Sequence, residues 1–282
     1  MRKFKYSLQK GSKKYTCPAC GNHKSFVPYV DESGDIVDVD KFGRCERINN
    51  CGYISYPRIK GEKGTKDVYK PIVYVKPPEP DFIKREIVEK TFTNFNENIF
   101  FVYLVRMFGR EVAFDLQSEY NIGTAKNGGT IFWQQDKEGR FRTGKVMYYN
   151  ETGRRDKLKA SWYLHKKVKD NFNLVQVFFG EHLDNGDKPV AVCESEKTAI
   201  MMSAFEPTFT WVATGGSEMI NGYRKSRLSN IGMVFPDSGQ FKKWRLNTGV
   251  PREKMDERVE IAVKNGVLPA GADILDLYLI NN

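Results

Sequence analysis

Four of the five cysteines fall within the first 51 residues, as Cys17-Pro-Ala-Cys20-Gly21 and, after 24 further residues, Cys45-x5-Cys51-Gly52. Two thiolates held on one tight turn face a single ion, and two such pairs complete the tetrahedral four-thiolate set of structural zinc. Gly21 and Gly52 each follow a cysteine, where the absence of a Cβ lets the turn close beneath the metal. A disulfide framework or a redox pair would use the same residue type. The charged start, MRKFKYSLQK, lacks the apolar stretch of a secretory signal, and this favours metal in a reducing compartment. The five residues between Cys45 and Cys51 exceed the usual spacing of about two to four. Either the second knuckle is a longer loop or His23 replaces one thiolate; the four-cysteine set is favoured.

A ribbon of about 50 residues buries too little apolar surface to fold unaided, so bound metal supplies its folding energy. The rest of the 282-residue chain is long enough for a core of its own. No run approaches the ~18 apolar residues of a membrane span, so the expected setting is cytoplasmic, with no membrane partner. The net charge of +10 suits a polyanionic partner. Residues 1–30 carry Arg2, Lys3, Lys5, Lys10, Lys13, Lys14 and Lys24 without one acid, interleaved with Tyr6, Tyr15, Phe26 and Tyr29. Cations alternating with rings suit stacked bases and phosphates, although a solvated basic face has the same composition.

Composition shifts mark the domain boundaries. A zinc ribbon is expected over residues 1–56. Residues 57–80 hold five of the twelve prolines without helical periodicity and read as an extended linker. Residues 81–187 form a second unit that opens with helical spacing over 81–92 and 96–118. Short antiparallel strands then follow, from Tyr120 through Ile131-Phe132-Trp133 and a turn at Lys137-Glu138-Gly139 to Lys145–Tyr149. From residue 188 to 282 the pattern is α/β. Pro189–Cys193, Trp211–Ala213 and Ile231–Phe235 are buried-type strands separated by crossover lengths, which implies a parallel sheet with its chemistry at the strands' C-terminal ends. The expected class is α+β: a small ribbon, a mixed helical and antiparallel subdomain, then a parallel sheet flanked by helices.

Glu194 and Asp237 fall at those strand ends. Paired carboxylates there suit a hard divalent cation that also grips phosphate, though acids after βα turns also serve as helix caps. The segments Val192-Cys-Glu194-Ser-Glu196-Lys197-Thr198, Val212-Ala-Thr-Gly-Gly216 and Val234-Phe-Pro-Asp237-Ser-Gly239 resemble the TOPRIM domain of bacterial-type primases, topoisomerases and some nucleases. The tail Gly271-Ala-Asp273-Ile-Leu-Asp276 is similar to the acidic segment that closes the primase version, and Tyr120–Gly123 with the following hairpins is similar to the part of the primase core before it. With the ribbon in front, the ordered set resembles primase-like proteins of mobile elements and phages, particularly of the Bacteroides group. One departure stands out: the second acid of the family's Asp-x-Asp falls at Gly239.

The resemblance implies a nucleotidyltransferase that binds single-stranded DNA template and nucleoside triphosphates and makes short primers with Mg²⁺ or Mn²⁺. Glu194 would be the general acid or base and Asp237 a metal ligand, with Asp273 or Asp276 completing the site. Arg142, Lys145 and Lys197 would neutralise phosphate, unless they are ordinary surface charges. No helicase region is apparent, so a separate helicase is the expected unwinding partner. The alternatives are a catalytically weak or inactive single-strand-binding or replication-recruitment protein, favoured by Gly239, and a TOPRIM nuclease. His165 and His182 are isolated, and Cys193 reads as a small buried hydrophobe.

Overall fold

The computed structural model describes residues 5–47, 51–57, 79–216 and 226–280, which divide between two units, Met1–Glu79 and Pro80–Asn282. Almost all of the expected linker, 58–78, lies outside the described residues, as do Arg2 and Lys3. No helix among the described residues is long and apolar enough to cross a membrane.

In the first unit β1 (Ser7–Leu8), β2 (Phe26–Val30), β3 (Gly43–Cys45) and β4 (Ile54–Ser55) form an antiparallel sheet in sequence order. Phe26 lies opposite Cys45, and its ring fills the space where residue 43 would carry a side chain. A Cβ at Gly43 would come within 2.4 Å of that ring and of the Val27 carbonyl, so glycine is required there. The apolar centre is small: Phe26, Cys17 and Cys45, with Tyr15, Cys20, Cys51 and Tyr53 packed around them.

The second unit opens with α1 (Arg85–Glu89), α2 (Ile99–Phe108) and α3 (Arg110–Glu119). The continuous helical spacing expected over 96–118 is broken at Gly109. That residue takes φ 83° and ψ 165°, an extended positive-φ conformation open to glycine, and separates α2 from α3. Asn98 caps α2 by accepting from the Phe101 amide at 3.2 Å. An antiparallel meander follows: β5 (Ile122–Thr124), β6 (Thr130–Gln135), β7 (Phe141–Met147) and β8 (Trp162–Tyr163), then a short α4 (His165–Val168). Strands β5 to β7 are buried throughout, because α2 covers one side and a cluster of Ile131, Trp133, Phe141 and Val146 occupies the other.

A three-stranded parallel sheet completes the unit, in the order β10 (Thr210–Ala213), β9 (Val190–Cys193), β11 (Ile231–Val234). Its residues alternate between two cores. Ala191, Cys193, Trp211 and Ala213 join the larger core with α5 (Glu196–Phe205), the crossover helix. Val190, Val192, Val212 and Val234 face Trp244 of α6 (Phe241–Thr248). Burial on both faces explains the uninterrupted apolar runs of these strands. Two further helices, α7 (Arg258–Lys264) and α8 (Ile274–Leu279), pack on the α5 side. The two sheets share the larger core: Phe179 bonds to the edge of β10 at Ala213 and packs against Phe132 and Tyr120.

Candidate active site and metal centre

The sulfurs of Cys17, Cys20, Cys45 and Cys51 lie within 4.8 Å of one another. Cys17 Sγ and Cys51 Sγ are 3.8 Å apart, the edge expected of a tetrahedron with metal–sulfur bonds of about 2.3 Å. The first knuckle is closed by the Gly21 amide donating to the Cys17 carbonyl, 2.9 Å. The second absorbs its wider spacing through a Cys51 amide bond to the Arg47 carbonyl, 2.7 Å. Gly21 and Gly52 take φ values of 65° and 64°, the conformation that a side chain disfavours. His23 stands apart from the cluster, its Nδ1 3.0 Å from the Thr16 hydroxyl. The donor set is that of a closed structural zinc site. Of the four interleaved rings, Phe26 and Tyr29 are buried in the ribbon. Tyr6 and Tyr15 are half-buried, with Lys5 and Lys13 above them.

In the second unit, parallel pairing brings Glu194, just beyond the central strand β9, and Asp237, three residues beyond its neighbour β11, to the same edge of the sheet. The Phe235 amide donates to the Val192 carbonyl (2.8 Å), and the Gly215 amide to the Glu194 carbonyl (2.9 Å), fixing both strand exits and the glycine turn between them. The C-terminal segment is tied to this edge. Ser238 donates its amide to the Ala272 carbonyl at 2.9 Å, and the Gly271 amide donates to Ser238 Oγ at 3.2 Å.

Electrostatics register the gathering of acids. Burial, reinforced by Asp273, Glu194 and Asp276, raises the Asp237 carboxyl to about 8. Asp273 is raised too, by burial first, against the opposing Thr198 hydroxyl bond and Lys197 charge. Cys193, buried beneath them, is driven far up by burial and by the surrounding carboxylates. Asp273 and Asp276 form a reciprocal cap on α8: Asp273 Oδ1 accepts the Asp276 amide at 3.0 Å, and Asp276 Oδ2 accepts the Asp273 amide at 3.1 Å. The other Asp273 oxygen accepts from Thr198 on α5. Among the described residues, only the cysteines form a group of three or more side chains that could hold an ion; the acids do not. Gly239, at φ 79° with open space where a Cβ would stand, donates its amide to Glu260 at 2.8 Å.

The three basic candidates have separate partners. Lys145 is buried and reaches from β7 to both carboxylate oxygens of Glu196, at 2.9 and 3.0 Å, and to the Gly215 carbonyl, at 3.1 Å. Lys197 donates to the Gly153 carbonyl at 2.9 Å; burial lowers its pKa while Asp273 and Asp276 oppose that shift. Arg142 is buried against Asp136 at 2.8 Å, in the β6–β7 turn, and stacks on Phe82. Its neighbours are those of the hairpin turn. Glu196 appears in the sequence as a plain helix-start acid, and nothing there signals its tie to Lys145, 51 residues away. His165 Nδ1 lies 2.8 Å from the Thr143 hydroxyl, and His182 Nε2 lies 2.9 Å from the Glu119 carbonyl.

Residues 98–238 match the model of a family described as a domain of unknown function, DUF6371, and residues 4–65 match a model described as a zinc beta-ribbon finger. No curated protein matches the chain. Among solved structures, the primase fragment of the bacteriophage T7 primase-helicase protein aligns over 93% of this chain and 96% of its own, at 14% identity and a TM-score of 0.40. A bacteriophage T7 lagging-strand DNA polymerase assembly, with primase domains of two gp4 subunits bound to an RNA/DNA hybrid and dTTP, aligns over 54% of this chain and 80% of the matched chain. Identity there is 16% and the TM-score 0.34.

Proposed function

The chain belongs to the DUF6371 family, and from that footing we propose that it is a primase-like nucleotidyltransferase that copies single-stranded DNA template into short primers. The observation that carries this reading is the gathering of Glu194 and Asp237 at the C-terminal ends of neighbouring parallel strands, with the Asp273 segment tied to the same edge through Ser238. A carboxyl raised to about 8 by burial and like charge belongs to a site that gains from a divalent cation. Mg²⁺ or Mn²⁺, when bound, supplies charge neutralisation for a triphosphate.

In this reading Asp237 and Asp273 would hold the cation, and Glu194 would accept the proton of the attacking 3′ hydroxyl. The new bond joins that oxygen to the α-phosphorus, and the bond to the β-phosphate oxygen breaks to release pyrophosphate. Lys197, on α5 three residues after Glu194, and Lys145, which reaches from β7 to Glu196 on the same helix, offset the accumulating negative charge. Arg142 belongs to the same reading only if it leaves Asp136. The ribbon holds template, and a separate helicase opens the duplex. The finer placement, among mobile-element and phage proteins of the Bacteroides group, rests on motif order alone.

A second reading, a single-strand-binding or recruitment protein without synthesis, is favoured by Gly239 and by the lack, among the described residues, of a group of three carboxylates that could hold an ion. One assay separates the two. The purified chain is given a single-stranded template, labelled nucleoside triphosphates and Mg²⁺ or Mn²⁺, beside Asp237→Asn. Metal-dependent extension in the parent and its loss in the variant support the transferase. Retention of template without extension supports the binding protein, and strand cleavage identifies a nuclease.

A further inference from the structure

The antiparallel subdomain carries a ring-and-cation face remote in sequence from both the cysteines and the acids. Trp162 of β8 pairs across from Val146 of β7, and Tyr148 lies two residues beyond Val146. Residues opposite or two apart share a face, so Val146, Tyr148 and Trp162 project together, Val146 buried in the core and the two rings half-buried at its margin. Gly129 makes room for this: a Cβ there would come within 2.9 Å of both the Tyr148 ring and Val146. Asn127 donates its amide to the Tyr148 hydroxyl at 2.6 Å, and Trp162 Nε1 lies 3.4 Å from the same oxygen. Lys159 Nζ stands 5.2 Å from the Tyr148 ring centre, and Lys167 Nζ 3.9 Å from that of Trp162. A cavity of about 310 Å³ opens here, lined by Asn127, Tyr148, Lys159 and Ala160.

The charge around this face is one-sided. Residues 151–170 hold seven lysines and arginines against three acids. Asp156 is taken up by the Leu158 amide and Lys159, and Lys169 by Asp81. Lys157, Lys166 and Lys167 make no ion pair among the described residues. Leu158, between two lysines, is 97% exposed. The ammoniums of Lys159 and Lys167 lie over the ring faces, and these long exposed side chains can swing aside for a partner that offers both a π-face and negative charge. The cavity is at the small end of ligand pockets, roughly the size for one base, and Asn127 keeps its carbonyl oxygen and one N–H to meet a base edge.

We propose that this face is a second contact for single-stranded nucleic acid, in which a base stacks at Tyr148 and Trp162 while Lys157, Lys159 and Lys167 take the flanking phosphates. The choice of partner rests on the template-binding reading above; the site itself does not depend on catalysis. Its chemistry differs from that of an acidic peptide, which offers charge without the stacking plane.

The intact chain provides its own optical probe. Trp133, Trp211 and Trp244 are fully buried, which leaves Trp162 as the accessible indole. An oligodeoxythymidine of about 15 nucleotides, within the usual range for one single-strand site, should quench tryptophan emission as it binds. An abasic strand of equal length should quench far less. Trp162→Leu should remove the quenching and weaken binding, read by anisotropy, about tenfold. Lys159→Glu with Lys167→Glu, both exposed, should leave the circular dichroism unchanged and lower the log affinity–log salt slope by about 1.4. Binding without quenching, equal quenching by the abasic strand (an anion or acidic-peptide surface), or an unchanged salt slope would each overturn the proposal. Template extension, measured separately with Asp237→Asn, reports on the transferase reading alone, so either can fail without the other.

Discussion

Lys145, in the middle of the antiparallel sheet, grips both carboxylate oxygens of Glu196 at the first turn of the helix that leaves the parallel sheet. The pair is nearly sealed from solvent, with side-chain exposures of 11% and 2%. It therefore ties the two sheets at the floor of the acidic edge, and the Gly215 carbonyl shares the same ammonium.

Removing one partner strands a buried charge. Lys145→Met should destabilise the second unit by about 3–5 kcal/mol, read as a lower urea midpoint. Adding Glu196→Gln should recover a large part of that loss. If the double variant is no more stable than the single one, the pair is not the tie described here.

The cysteine cluster leads to a metal count. Protein purified without chelator should carry about one zinc per chain, as a single four-thiolate site requires. Cys17→Ser should release it and unfold residues 1–56 while 81–282 keep their structure. The ligands bind as thiolates, so acidification should release zinc as well. Elemental analysis and proteolysis of the variant read both effects.

Asp237 gives the acidic edge a pH signature. Its folded pKa, about 8, lies above the unfolded value of about 3.8, so the folded state binds the extra proton between those limits. Stability of the metal-free chain should accordingly fall as pH rises from about 4 to about 8, then level off. Asp237→Asn should flatten that decline and melt higher than the parent at alkaline pH. Mg²⁺ should stabilise the parent increasingly towards pH 8 and the variant hardly at all. Parallel melting curves for the two proteins across this range would contradict the assignment.

Gly239 is a site where the missing acid can be put back. No atom stands where its Cβ would go, but φ 79° costs an L residue about 1 kcal/mol. Gly239→Asp should therefore lower stability slightly and tighten Mg²⁺ binding, seen as a larger metal-induced rise in melting temperature than the parent shows. A variant indifferent to Mg²⁺ would mean that residue 239 points away from the cation.

Template binding at the ribbon should be salt-dependent, with log affinity falling by roughly 0.7 per neutralised phosphate on a log salt scale. Deleting residues 1–56 should weaken binding more than any single basic substitution in the second unit. Anisotropy titrations at several salt concentrations measure both.

Local patterns in the chain foretell what is local in the fold. Cys17–Cys20 and Cys45–Cys51 announce themselves by spacing, and the uninterrupted apolar runs of β9 to β11 reflect a sheet covered on both faces. The break at Gly109 was also readable in principle, since glycine there is the standard exit from a helix, but the apolar period runs through it and masks the turn. What the sequence conceals is long-range pairing of charge. Lys145 and Arg142 sit three residues apart on one strand and look interchangeable. The strand turns the first toward Glu196 and the second toward Asp136 in its own hairpin. Phe26 and Tyr29 likewise look like members of a stacking surface until the ribbon closes over them. Neither outcome follows from composition, because each depends on which face the pleat presents.

Both oxygens of Asp273 are already engaged, one by the amide that starts α8 and the other by Thr198 of α5. A cation that takes up this carboxylate shares its oxygens with those donors and draws electron density away from both hydrogen bonds. Ligation at the acidic edge therefore acts on the cap of the last helix, and faster exchange of the Asp276 amide on adding Mg²⁺ would read that coupling without substrate or turnover.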